Sequence, residues 1–277
     1  MPFEANIGAI VRSYLERFEE LSEIEVPKQQ KILRITWRDI DPDFEVIGYG
    51  TYSIVHKVKL MDYQGDFALK FLDPSMLKDN SGEERYKRAA MDVALEGKIL
   101  ERLNHPNIIS LRGLCKGKVE ANINNESFPY FLLLDYLPQT LDKVLERKRK
   151  SASEKLIRTQ RKVFDRLELT AVGIASAMEY LHERGRKFPR WCMHVLLLSS
   201  NLIPFLAVTV LFRDLKPSNV GFDEFGTVKL FDLGNCRDLA FSAKTGEVLG
   251  FAGTPRYMAT EIGAGKEYGL PSDVCKY

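Results

Sequence analysis

The stretch Phe212-Arg213-Asp214-Leu215-Lys216-Pro217-Ser218-Asn219, followed by Asp232-Leu233-Gly234, constrains this chain more than any other. The first string places a carboxylate, a lysine and an amide carbonyl on one short loop. The second adds a carboxylate after an apolar strand, Val228 to Phe231, and before a glycine that permits a sharp turn. A carboxylate that can accept a hydroxyl proton, beside an Asn and an Asp able to share metal ions, suits phosphoryl transfer. That chemistry depends on positioning and charge neutralisation more than on covalent steps.

The chain around these strings has the size and composition of a globular protein. Its 277 residues suffice for one large core or two modest ones. With 28% charged and 45% hydrophobic residues and a net charge of +2, it shows no bias that predicts general affinity for nucleic acid or membrane. Cys115, Cys192, Cys236 and Cys275 are scattered without metal-site spacing, so free thiols in a reducing, cytoplasmic compartment are expected. The Met1-Pro2-Phe3-Glu4 start lacks a basic region followed by an apolar run, so no signal peptide is expected.

Upstream, Ile7, Ile10, Val11, Tyr14, Leu15, Phe18, Leu21 and Ile24 recur at helical spacing and predict an amphipathic helix ending before Pro27. It packs on the domain as an accessory helix or binds a partner. Residues 25–43 read as a linker, with Trp37 a packing anchor. From Phe44 to Val55 the pattern is strand, glycine turn, strand. Gly48 and Gly50 suit either a plain hairpin or a loop whose N–H groups approach phosphates. Lys70 lies inside the apolar strand Phe67 to Phe71, where an unpaired ammonium would be costly. A long helix from Glu83 to Leu103 carries Glu96 and its rival Glu101, and the spacing to His105 favours Glu96. Strands follow around 109–116 and 130–135, and a helix over 162–184 is expected to bury Leu169, Val172, Met178 and Leu181 among others.

These strings resemble, in order, the motifs of eukaryotic protein kinase catalytic domains, serine/threonine type. Gly48, Gly50 and Val55 match the glycine-rich loop, with Ser53 in place of its third glycine. Phe67-Ala68-Leu69-Lys70 matches V-A-I-K, and His105-Pro106-Asn107-Ile108 matches the corner after the helix that carries Glu96. Asp214 to Asn219 matches the catalytic loop, and Asp232-Leu233-Gly234 the metal-binding motif. Ala259-Thr260-Glu261 stands where the family has A-P-E. The resemblance implies an α+β, bilobal fold: a small β-rich N-lobe (44–134), a hinge (135–138) and a mainly helical, incomplete C-lobe (139–277), with residues 1–43 preceding them.

It also implies ATP and Mg²⁺ as cofactors and a protein Ser or Thr hydroxyl as acceptor. By resemblance, Asp214 accepts the hydroxyl proton, Lys216 steadies the γ-phosphate, and Asn219 and Asp232 hold the metal. Lys70 paired with Glu96 positions the other phosphates, and Ile47, Gly48, Gly50, Val55, Ala68, Leu134, Asp135 and Leu137 frame the nucleotide. Asp273 falls where the family anchors the catalytic loop. Ser242 and Thr245, on the segment from Asp232 to Glu261, are expected sites for an upstream kinase, with a phosphate there pairing with Arg213. His105 and His182 read as structural, and Thr254 as a contact of the catalytic loop. Because the C-lobe helices of the family are not matched, the alternative is a non-catalytic nucleotide-binding or scaffolding module.

One segment departs from the family altogether. Arg186 to Val210 separates the helix from the catalytic loop, and Val195 to Phe212 is almost wholly apolar. A membrane span is the weaker reading, because the run is short and contains Ser199, Ser200, Asn201 and Pro204. The stronger expectation is translated intron over 186–210 and 275–277. Arg186-Lys187-Phe188 and Cys275-Lys276-Tyr277 can both be encoded around GTAAGT, and Thr209-Val210 around CAG.

Overall fold

The computed structural model describes residues 4–24, 26–27, 31–50, 53–73, 82–117, 119–123, 129–151, 160–183, 210–247 and 249–274. The expectations for 186–209 and 275–277, for Thr51 and Tyr52 in the glycine turn, and for Cys192 lie outside the described residues.

The first half is built on a sheet in the order β1-β5-β6-β4-β3-β2. Its strands are β1 (Leu33–Ile35), β2 (Glu45–Tyr49), β3 (Ser53–Leu60), β4 (Tyr63–Leu72), β5 (Leu111–Cys115) and β6 (Phe131–Asp135). Strand β6 lies between β5 and β4, and Phe131, Leu132, Leu133 and Leu134 are all buried. A strand covered on both faces reads as a continuous apolar run, and this one does. Against the sheet packs α2 (Gly82–Leu100), whose Ala89, Ala90, Val93, Ala94 and Ile99 enter the core. The linker reading of 25–43 needs correction. Residues 33–35 form β1, which joins β5 in parallel, and Ile40 bridges Leu60. Trp37 is the expected anchor: its Nε1 donates to the Pro129 carbonyl at 3.0 Å, and its ring meets Phe71 and Phe131 edge-on.

Helix α1 (Glu4–Leu21) is the expected amphipathic helix. Ile7, Val11, Leu15 and Phe18 are buried and belong to the same core as the sheet. It packs on α2 and on α3 (Val119–Ile123).

The second half carries β7 (Gln139–Thr140), α4 (Leu141–Ser151), α5 (Gln160–Glu183) and β8 (Val210–Leu211). The hairpin of β9 (Val220–Phe222) and β10 (Val228–Leu230) comes next. After it come β11 (Arg237–Asp238), α6 (Leu239–Thr245), α7 (Thr260–Gly263) and α8 (Pro271–Val274). Val210, expected inside the insert, pairs with Asp238 of β11 and is fully buried. On α5 the residues three and four apart that face β8 and β10 are buried, as Ala177, Met178 and Leu181 are. Leu169 and Val172 were expected among them, but they are 70% and 61% exposed. Gly173 on the same helix meets Val228 of β10.

Candidate active site

Lys70 enters from near the C-terminal end of β4, where its neighbours Leu69 and Phe71 are buried. Its Nζ lies 2.7 Å from Glu96 Oε2 and 2.7 Å from Asp232 Oδ1. Glu96 is buried on α2 and also accepts the Leu233 N–H at 3.1 Å. The rival Glu101 pairs instead with Lys98 and Arg34. Gly97 explains how Glu96 comes so close. A Cβ there would stand 2.9 Å from Leu132 Cδ2 and 3.3 Å from the Tyr130 hydroxyl. Glycine in a helix interior costs about 1 kcal/mol relative to alanine, and here it lets α2 lie against β6.

Burial opposes the charge on Lys70, but Asp232 and Glu96 outweigh it and push its pKa up. Lys70 holds the Asp232 carboxyl below its ordinary range, with help from Lys216. Burial raises the Glu96 carboxyl, against the pull of Lys70. The ammonium is therefore fixed between two carboxylates, and Asp232 remains charged at neutral pH.

The loop from Phe212 to Asn219 is held more locally. Asp214 is buried, and its Oδ1 accepts from both the backbone N–H and the hydroxyl of Thr254, each at 2.9 Å. Its Oδ2 accepts from Lys216 Nζ at 2.8 Å and Asn219 Nδ2 at 3.2 Å. Lys216 also donates to Thr254 Oγ1, so the expected contact of Thr254 with the loop is present. Asp273 accepts the Phe212 and Arg213 N–H groups at 2.7 Å each, and His182 Nε2 lies 3.0 Å from its Oδ2. Phe212 and Leu233 are buried in the core.

The turn attributed to Gly234 is made elsewhere. Asp232 itself takes the left-handed conformation, φ 61°, and so does Arg213, φ 69°. Left-handed backbone at a non-glycine residue costs of order 1 kcal/mol and collects at functional sites. Here Lys70 and Asp273 supply the compensating bonds.

The residues expected to frame a nucleotide meet on the sheet. Val55 pairs with Lys70, Gly48 with Val55, and Ala68 with Leu134. Gly50 N–H closes the glycine turn onto the Ser53 carbonyl at 2.7 Å. Ile47 and Leu137 pack partly buried against the core, and Leu137 presses on Gly221 of β9. Asp135 is turned away: its carboxylate accepts from Arg112 Nε at 2.5 Å and from the Ser110 N–H at 3.1 Å.

Two readings of the segment after Asp232 are corrected. Ser242 and Thr245, expected as accessible sites for an upstream kinase, lie on the helix α6. Asp238 caps that helix by accepting the Ala240 and Phe241 N–H groups, and Gly246 ends it in the left-handed conformation. Ser242 is 4% exposed, and the Thr245 hydroxyl donates to the Phe241 carbonyl at 2.9 Å. The Arg213 guanidinium donates to the Asn235 carbonyl and the Tyr268 hydroxyl, not toward α6. The Asp238 and Gly246 pair is a helix signature visible in the sequence. Tyr268, Arg237 and Gly97 gave no such signal.

A carboxylate–lysine–carboxylate bridge beside a buried loop aspartate is an arrangement that suits phosphoryl transfer. Comparison with known proteins agrees. The family model for the protein kinase domain matches residues 43–275. A serine/threonine-protein kinase of Drosophila erecta is 29% identical over 239 residues, covering 83% of this chain and 24% of that protein. One of Drosophila melanogaster is 28% identical over 239 residues, covering 83% and 24%. A probable serine/threonine-protein kinase of Streptomyces coelicolor is 27% identical over 231 residues, covering 83% and 27%. The chain thus spans about a quarter of the length of these relatives. It belongs to the protein kinase domain family.

Proposed function

We propose that this chain transfers the γ-phosphoryl group of ATP to Ser or Thr hydroxyls of protein substrates. The observation that carries the reading is the Lys70 ammonium held 2.7 Å from both Glu96 and Asp232, with Lys216 near enough to lower the Asp232 pKa. Lys216 two residues after Asp214, and the names of the relatives, support the serine/threonine type. Asp214, held by Thr254, Lys216 and Asn219, orients the acceptor hydroxyl and takes its proton. Lys70 and Lys216 place positive charge where phosphate oxygens gather.

The residues fit a magnesium ion. Asn219 directs its Nδ2 to Asp214, which leaves its amide oxygen free as a metal donor, and its backbone carbonyl accepts from Phe231, the residue before the charged Asp232. Hard oxygen donors from one or two side chains, completed by phosphate and water, are the usual magnesium set. Among the described residues no group of three His, Cys, Asp or Glu side chains could hold a metal alone. Bound there, the ion would neutralise phosphate charge. No helix among the described residues is long and apolar enough to cross a membrane.

The scaffold alternative draws on the bare Leu169 and Val172 face of α5. Incubation with labelled ATP and Mg²⁺ separates the two readings. The kinase reading expects incorporation that Asp214→Asn abolishes. Nucleotide binding without transfer would favour the scaffold.

A further inference from the structure

Helix α1 touches two elements that the proposed chemistry depends on. Toward α2, Glu19 accepts from Lys98 Nζ at 2.5 Å. Arg102 Nε, just beyond α2, donates to the Ile24 carbonyl at 3.2 Å, and its guanidinium lies 5.1 Å from the centre of the Phe18 ring. Toward the segment after Asp232, the ring of Phe241 on α6 sits edge-on to Tyr14 at 5.4 Å and to Phe18 at 5.2 Å. Ser22 Oγ donates to Asp238 at 2.6 Å, and Lys244 donates to the Leu21 carbonyl and to Glu23. Phe18 and Phe241 are both buried, so the contact is a packed interface and not a graze.

Between these two contacts lies Arg237. Its Nη2 meets Asp92 Oδ1 at 2.9 Å and its Nε meets Glu247 Oε1 at 3.2 Å; Tyr14 donates to the other Glu247 oxygen at 3.4 Å. Asp92 stands four residues before Glu96 on the same helix, so the two share a face one turn apart. Burial works against the charge on Arg237, but Asp92 and Glu247 more than offset it. Hydrogen bonds of this charged kind are stronger than neutral ones and direction-specific.

We propose that Arg237 is a positioning residue that holds Glu96 against Lys70 through Asp92, and that α1 is the clamp keeping Arg237 in place. The inference rests on the kinase reading only for its catalytic consequence. Its structural content is that α1, the segment 237–247 and the α2 turn from Asp92 to Glu96 open together.

Hydrogen exchange on the full chain tests this. Arg237→Gln removes the charge. Tyr14→Phe with Ser22→Ala removes two hydrogen bonds of the clamp and leaves its apolar packing, so that variant stays folded. Each should speed exchange about tenfold both in 237–247 and in 92–100, while the β3–β4 hairpin stays unchanged. Faster exchange in 237–247 with 92–100 unaltered would overturn the proposal, as would no change in either. In transfer assays Arg237→Gln should lower kcat about tenfold with a smaller change in the KM for ATP, and Arg237→Lys should restore part of the loss. Equal kcat in the presence of faster α2 exchange would overturn the positioning role. An unsubstituted chain without Asp214-dependent transfer would sink the kinase reading, and the exchange pattern would still decide the clamp.

Discussion

Lys70 finds Glu96 across 26 positions of sequence and Asp232 across 162, whereas Asp214 finds Lys216 two positions away and Asn219 five. Among the described residues only Thr254, forty positions on, reaches the Asp214 carboxylate from afar. The first cluster is assembled by the seating of α2, which depends on Gly97, Arg237 and α1. The second is assembled largely by its own loop and tied down by Asp273. A loop that closes on itself pays little entropy for its contacts, while distant groups must be held by packing. The lysine bridge is therefore the part of the site that movement of a helix can switch off.

Substitutions should expose that contrast. Asp214→Asn is expected to have the largest effect on transfer, a loss of about 10² to 10⁴ in kcat, the usual contribution of a positioned base. It should cost only about 1–3 kcal/mol of stability, because the amide oxygen can still accept from Thr254 while its NH2 faces the donors Lys216 and Asn219; thermal melting alongside the assay checks both halves.

Lys70→Met should cost about 10² to 10³ in kcat, as removal of one preorganised charge does. It should weaken the fold more than Asp214→Asn does, by about 3–5 kcal/mol, since it strands the buried Glu96. The pH dependence should then change as well. Asp232 has a folded pKa below its unfolded one, so its contribution is present above the unfolded carboxyl value and is lost as pH falls through the folded one. Glu96 has a folded pKa already raised by burial, and losing the pull of Lys70 raises it further, so the variant should gain more stability than the unsubstituted chain as pH falls from 8 toward 5. Denaturant midpoints across that range would show it; parallel curves would mean Glu96 is not held by Lys70.

Thr254→Val should lower kcat about tenfold, because Asp214 and Lys216 each lose one bond while the loop stays anchored by Asp273. A loss as large as that of Asp214→Asn would show the loop to be less self-sufficient than its geometry implies.

The smallest effect concerns His56, stacked on Phe44 and depressed in pKa by burial. Its folded pKa lies below its unfolded one, so its contribution is present above the unfolded histidine value and lost as pH falls. His56→Phe should flatten stability between pH 7 and 5 by about 1 kcal/mol or less. The active-site bridge should not notice, and unchanged ATP binding would confirm that.

Much of this arrangement was legible because the residues concerned are neighbours in the chain. Asp214, Lys216 and Asn219 lie on one loop, Lys70 stands out as a charge in an apolar strand, and α1 and α2 carry clear helical periods. Glu96 was preferred over Glu101 by its spacing to His105, and the structure shows Glu101 engaged with Lys98 and Arg34 instead. Burial was harder to read. Leu169 and Val172 fit the helical pattern of α5 yet face outward, and Ser242 looks like an accessible hydroxyl yet is covered. Periodicity identifies an apolar stripe but not which neighbour covers it.

The sequence by itself determined the family, the order of the elements and the identity of the charged groups, since each is written in a short run of residues with its own local chemistry. Only the tertiary structure decided that β1 joins the sheet in parallel, that Asp135 turns to Arg112, and that α1 sits on both α2 and α6. The reason is physical: those contacts join residues far apart in the chain. Their energy comes from packing and charge pairing that exist only after both surfaces have formed.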